Sequence, residues 1–307
     1  MSRGCLRVIA STCVGPWGET IEGMANYIES WSQQASAASA ATSADMELPL
    51  TAELAPVPGF IESSFNPLVY RIIQMHLESG NIHQPEKLAI ILASAMGDTA
   101  TADCASRNLL AGQVHNPLLF YQSVPNSILG YASRQFGFTG RMTALAHQGD
   151  GLSALLEIAT LYSELPDVGQ VLVIGVELHS TRADELLAEL SGDAAVMRSC
   201  DHAVSLLLER SASVDAPPDR SADQEDEHGC VDAYGSGDMA MVCISEIESR
   251  RSENTDGVRR ARPLSGNQGL AEVAIAAERM SRGEMTGPAV VYDDRFGGGG
   301  YAVTLNR

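Results

Sequence analysis

The stretch Thr143-Ala144-Leu145-Ala146-His147-Gln148-Gly149-Asp150-Gly151 lies between a glycine-bounded segment and a helix-like run. Before it come Pro125-Asn126-Ser127-Ile128-Leu129-Gly130-Tyr131 and Phe136-Gly137-Phe138-Thr139-Gly140. After it, Leu152 to Leu165 reads as a helix, and Gln170-Val171-Leu172-Val173-Ile174-Gly175-Val176-Glu177 reads as a strand. The strand is a continuous apolar run without alternation, as a strand buried on both faces requires. At the centre stands Gln148, whose amide is not a nucleophile.

The same alternation continues outward. Leu6 to Val14 is apolar and β-branched enough for a first strand, closed by Gly15-Pro16-Trp17-Gly18. Thr20 can cap a helix from about Ile21 to Trp31. The Ser-, Ala- and Gln-rich stretch from Ser32 to Asp45 has no apolar face and reads as a loose insertion. A helix is expected from Asn66-Pro67 to Glu78, a buried strand over Lys87–Ser94 and a helix over Ala100–Leu110. Further on come a short helix at Ala183–Leu190 and a strand at Asp201–Glu209. Ser211 to His228, acidic and containing Pro217-Pro218, is the best linker. Beyond it, Val231–Gly237 reads as strand and turn, Met239–Arg250 as helix and Leu270–Met280 as helix. Pro288–Asp294 and Tyr301–Leu305 are closing strands. Strands alternating with helices imply mostly parallel sheets with helices on their faces.

Composition narrows the class. The chain has 307 residues, 45% hydrophobic and 5% aromatic, enough for a substantial core. A formal net charge of −19 argues against nucleic acid and against anionic membrane. No apolar run reaches the roughly 18 residues of a membrane span, and no apolar signal segment opens the chain, so a cytoplasmic location is expected. The 6 cysteines are scattered without a C-x-x-C pair, which favours free thiols over a metal site or disulfide framework. No cofactor motif is present: Gly297–Gly300 lacks the Lys and Ser of a phosphate loop and reads as a tight turn.

Taken in order, the opening strand, the strand and turn Leu92–Gly97, Pro125-Asn126 to Gly130-Tyr131, Phe136-Gly137-x-x-Gly140, the Gln148 segment and the strand ending Gly175-Val176-Glu177 resemble the N-terminal half of a β-ketoacyl synthase of the thiolase superfamily. Phe296 to Gly300 resembles the closing glycine-rich turn of that family. The resemblance implies a thiolase-like layered αβαβα fold, an internal duplication whose second half is reduced here. Residues 1–210 would form the first half, 211–228 an acidic linker and 229–307 the second half. In the family a cysteine nucleophile stands where this chain has Gln148. The same change marks chain length factor subunits of type II polyketide synthases and decarboxylating loading ketosynthases.

A working ketosynthase needs a thiolate, an oxyanion hole and, in the family, two histidines. This chain has no histidine after His228. Tyr234 is near the place of the first and Asn267, after Gly266, near that of the second; neither replaces an imidazole near neutral pH. No catalytic residue is therefore expected. The resemblance implies a non-catalytic subunit of chain length factor type, pairing with an active ketosynthase as a dimer and meeting the acyl carrier protein through that partner. Gln148, His147, Phe120, Tyr121 and Phe296 are the candidates for an acyl tunnel. Two alternatives stay open: a malonyl-carrier protein decarboxylase using Gln148, and a thiolase-superfamily acyltransferase with a nonstandard nucleophile such as Ser153. A homodimeric scaffold without an acyl ligand is a further one. His202, His179 and Cys104 read as structural, Cys104 as a core thiol. Helix Leu152–Leu165 is expected near the dimer interface.

Overall fold

The structure, a computed structural model, describes residues 5–37, 49–113, 116–147, 151–191, 200–211, 241–243, 250–251, 264, 266–294 and 299–306. In chain order the elements are β1 (Leu6–Val14), α1 (Ile21–Ala37), α2 (Phe65–Glu78), β2 (Leu88–Ser94), α3 (Thr99–Leu110), α4 (Pro117–Ser123), α5 (Asn126–Phe136) and β3 (Met142–Ala146). Then follow α6 (Leu152–Ser163), β4 (Gln170–Glu177), α7 (Thr181–Ser191), β5 (His202–Arg210), β6 (Met241–Cys243), β7 (Arg250–Arg251), α8 (Gln268–Ser281), β8 (Ala289–Asp294) and β9 (Gly299–Asn306).

The strands form one mixed sheet in the order β3-β2-β4-β5-β1-β6-β9-β7, with β8 also paired to β9. Every residue of β2 and β4 is buried, as their unbroken apolar runs demand. Side chains alternate between two cores. Ala89, Ile91 and Ala93 of β2 with Val171 and Val173 of β4 face α1, α6 and α8. Leu88, Ile90 and Leu92 with Leu172, Ile174 and Val176 face α2 and α5. In β1 the register shifts between Val8 and Ala10 against β5. That bulge changes the parity, so Leu6, Val8 and Cys13 all enter the same core although an unbroken strand would split them.

The expected mostly parallel pairing holds only for β3-β2-β4. The other pairs are antiparallel: β5 returns against β4 after α7, and β1, β6, β9, β7 and β8 each run opposite to the neighbour they pair with. Strand–helix alternation does not specify direction when a crossover ends at the far edge of its neighbour. The order α6, β4, β5 recurs as α8, β8, β9: a helix, a strand and an antiparallel return strand. The two return strands meet β1 and β6, and β1 pairs with β6 to carry the sheet across both halves.

Two expectations of secondary structure are corrected. Residues 32–37, read as loose insertion, continue α1. Residues 241–243, read as helix, form β6, where Leu6 and Arg7 of β1 provide partners that local pattern could not reveal. Leu156 of α6 is fully buried in the core against the sheet. The linker over 212–228 and the strand and turn around Tyr234 lie outside the described residues, as do Gln148 and Phe296. Among the described residues no helix is long and apolar enough to cross a membrane, and no group of His, Cys, Asp and Glu could hold a metal ion.

Candidate functional site

Parallel strands end together, and in open α/β sheets ligands bind beyond their carboxyl ends. Here those ends bring together His147 after β3, the turn Ser94–Gly97 after β2 and Glu177 at the end of β4. The start of α8 closes the same corner. The Gly151 backbone N–H, at the start of α6, donates to the Gly266 carbonyl at 3.3 Å. Gly151 also packs against the His147 ring: a Cβ there would lie 2.8 Å from the imidazole. Two segments more than a hundred residues apart in the chain therefore meet at Gly151 and Gly266.

Asn267, at the N-cap of α8, is fully buried. Its partner is His202 of β5. The His202 Nδ1 lies 2.8 Å from the Cys200 carbonyl and 3.5 Å from the Cys200 Sγ. Its Nε2 lies 3.1 Å from the Asn267 amide. With its oxygen towards the ring, the Asn267 amide accepts from the His202 Nε2–H at 3.1 Å and from the Val176 N–H at 3.3 Å and donates to the Gly266 carbonyl at 3.3 Å. Burial pushes the His202 pKa down to about 4, so the ring is neutral. Gly175 leaves the room: a Cβ there would collide with the Asn267 side chain and lie 3.0 Å from Leu270.

Glu177 was not singled out by sequence reasoning. Its carboxylate is buried and accepts from the Ala95 N–H, from the Met96 N–H at 3.1 Å and from the Ser94 hydroxyl at 3.1 Å. Burial pushes its pKa up to about 8, and the three hydrogen bonds pull the other way. A Cβ on Gly266 would lie 2.8 Å from this carboxylate. Glu177 thus ties the turn after β2 to the start of α8. The available signal was a carboxylate ending an otherwise apolar, buried strand.

The other candidates fall elsewhere. Ser153 is buried in the first turn of α6. Phe120 and Tyr121 stand on α4 with exposed side chains, and the Tyr121 ring meets Phe60 at 6.1 Å. Cys104, read as a core thiol, is only half-buried; it lines a cleft of about 370 Å³ between the N-terminal halves of α3 and α7. In that cleft the hydroxyls of Thr99 and Ser180 meet at 2.7 Å. The His179 backbone N–H donates to Asp201 at 2.8 Å, and its ring Nδ1 lies 3.9 Å from an Asp184 carboxylate oxygen.

Solved structures of other proteins match this chain over nearly its whole length. Chains of the ketosynthase ApeO in complex with its chain length factor ApeC from Xenorhabdus doucetiae match at 16% identity and a TM-score of 0.59. The ishigamide ketosynthase/chain length factor matches at 15% and 0.64, and a β-ketoacyl synthase from Burkholderia phymatum STM815 at 10% and 0.64. In each case 99% of both chains is covered. This is the thiolase-like ketosynthase fold. At these identities the likeness is one of fold, and no protein-family model or curated protein matches the chain.

Proposed function

We propose that this ketosynthase-like chain is a non-catalytic subunit of chain length factor type that pairs with an active ketosynthase in polyketide or fatty-acid-like biosynthesis. The observation that carries the reading is Gln148 in the place of the nucleophilic cysteine. An amide cannot attack a thioester, and the chain offers no histidine beyond His228 to assist decarboxylation. The burial of Asn267 against His202 supports it, since this amide is committed to an internal partner. Two neighbours of the same fold are ketosynthase and chain length factor complexes, which supports a partner of ketosynthase type.

The sheet offers a place to pair. Among the described residues β3 is the end strand, joined only to β2, and Met142–Ala146 contains no charge or proline to block a further strand. In this reading residues 229–307 are a reduced second half, and the carrier protein is met through the partner, because an acidic chain repels an acidic carrier.

The test is an assay of the purified chain with malonyl-carrier protein, alone and with a ketosynthase. Alone it should yield no acetyl-carrier protein above a no-protein control, and Gln148→Cys should not restore condensation. Acetyl-carrier protein formed by the chain alone would overturn the reading in favour of a decarboxylase.

A further inference from the structure

Three buried oxygens have no hydrogen-bond partner among the described residues where the starts of α2 and α3 meet α4. They are Asn66 Oδ1 of α2, Thr101 Oγ1 of α3 and Gln122 Oε1 of α4, on residues at most 6% exposed. Buried polar groups are normally satisfied, and an exception needs a cause. Turning the Asn66 amide does not remove it, because the amide nitrogen already donates to the Gln122 carbonyl at 3.0 Å.

The three helices are tied together at this place. The Asn66–Gln122 bond joins α2 to α4. Three residues before Asn66, the Ser63 hydroxyl donates to Asp98 Oδ2 at 2.8 Å and joins α2 to α3. α3 and α4 pack against each other. Asp98 caps α3 by accepting from the Thr101 N–H at 3.0 Å. The Thr101 hydroxyl stands beside the same carboxylate without closing a hydrogen bond to it.

Charge selects what fits among these oxygens. Asp98 is 4% exposed and makes no ion pair among the described residues; its donors, the Ser63 O–H and the Thr101 N–H, are neutral. A water would donate to the two amide oxygens and leave the carboxylate buried without a counter-charge, which is costly. A cation supplies that charge and meets oxygen atoms only, the donor set that hard cations take. One carboxylate among neutral oxygens balances a single positive charge. The cleft between α3 and α7 is lined by Glu62 and Thr99, so solvent comes within one residue of Ser63 and of Asp98. We propose that Asn66, Asp98, Thr101 and Gln122 form an internal site for a monovalent alkali cation, which holds the starts of α2 and α3 against α4. This site does not depend on the pairing proposed above.

The experiment measures the unfolding temperature of the full chain in potassium, sodium or tetramethylammonium chloride at one fixed ionic strength, so that general screening is common to all three. Asp98→Asn removes the charge and keeps a good helix cap; Gln122→Met removes one oxygen and keeps the length of the side chain. Circular dichroism checks that each variant is folded. The wild type should unfold about 2 °C or more higher in one of the alkali salts than in tetramethylammonium, with a saturable dependence on concentration. Both variants should lose that difference. Equal temperatures in the three salts would mean a protonated Asp98 or a water, and would overturn the site. A difference that persists in Asp98→Asn would place the cation elsewhere and overturn it too. A crystal grown in the more effective salt gives a second readout: an alkali ion among the four side chains supports the site, and a water in that place overturns it.

Discussion

Single residues at the corner between β4 and α8 are held by space and by proton placement. Gly175 is required because the Asn267 side chain occupies the volume of a Cβ. Gly175→Ala should cost about 1–3 kcal/mol by overpacking, whereas Gly130→Ala, on the exposed side of α5 with nothing within 4 Å, should gain up to about 1 kcal/mol. Urea denaturation of the two variants checks the opposite signs. Glu177 sets a pH dependence. Its folded pKa of about 8 exceeds the ordinary 4.5, so the folded state keeps a proton that the unfolded chain releases. Stability from this group is lost as pH rises from about 4.5 and levels off above about 8. His76 and His202, pushed down to about 4 by burial, act oppositely: stability is lost as pH falls from 6.5 towards 4. Unfolded, the histidines finish losing their protons about one pH unit above 6.5; this contribution is common to the wild type and Glu177→Gln and cancels in their difference. The denaturation midpoint of the wild type relative to that of Glu177→Gln should therefore fall between pH 6.5 and 8. An equal fall in both proteins would remove Glu177 as the cause.

Elements follow local pattern where pattern is strong. β4 has the bounds its apolar run implies, and α2, α6 and α8 differ from expectation only at their ends. β3 was not recognised as a strand: Met142–Ala146 is five residues with one β-branched side chain, and its identity comes from pairing with β2. α6 illustrates how burial reassigns a residue. Leu156 packs in the core beneath the sheet, so Leu156→Asp should cost about 4 kcal/mol or more and give unfolded or insoluble protein. Leu161, on the outer face of the same helix, should tolerate Ser within about 0.5 kcal/mol. Thermal unfolding of the pair tests this, and a soluble, native-like Leu156→Asp protein would contradict the packing.

The whole molecule is governed by its charge and by the meeting of its two halves. With 39 acidic against 20 basic residues, self-repulsion opposes the compact state and is screened by salt. The unfolding temperature should therefore rise by a few degrees as sodium chloride goes from low to physiological concentration; a fall would show that ion pairs such as Arg71 with Glu19, 2.7 Å apart, outweigh the repulsion. Much of this molecule could be read along the chain. The order of helices and strands, the two-sided burial of β2 and β4 and the amide at 148 follow from residue type and short-range spacing, which act within a few residues. Strand direction, the pairing of β6 with β1, the capture of the turn after β2 by Glu177 and the pairing of Asn267 with His202 could not. Each joins segments brought together by crossovers, and Asn267 and His202 are 65 residues apart. Periodicity says which face of an element is apolar; it carries no information about which distant polar group will be folded against it.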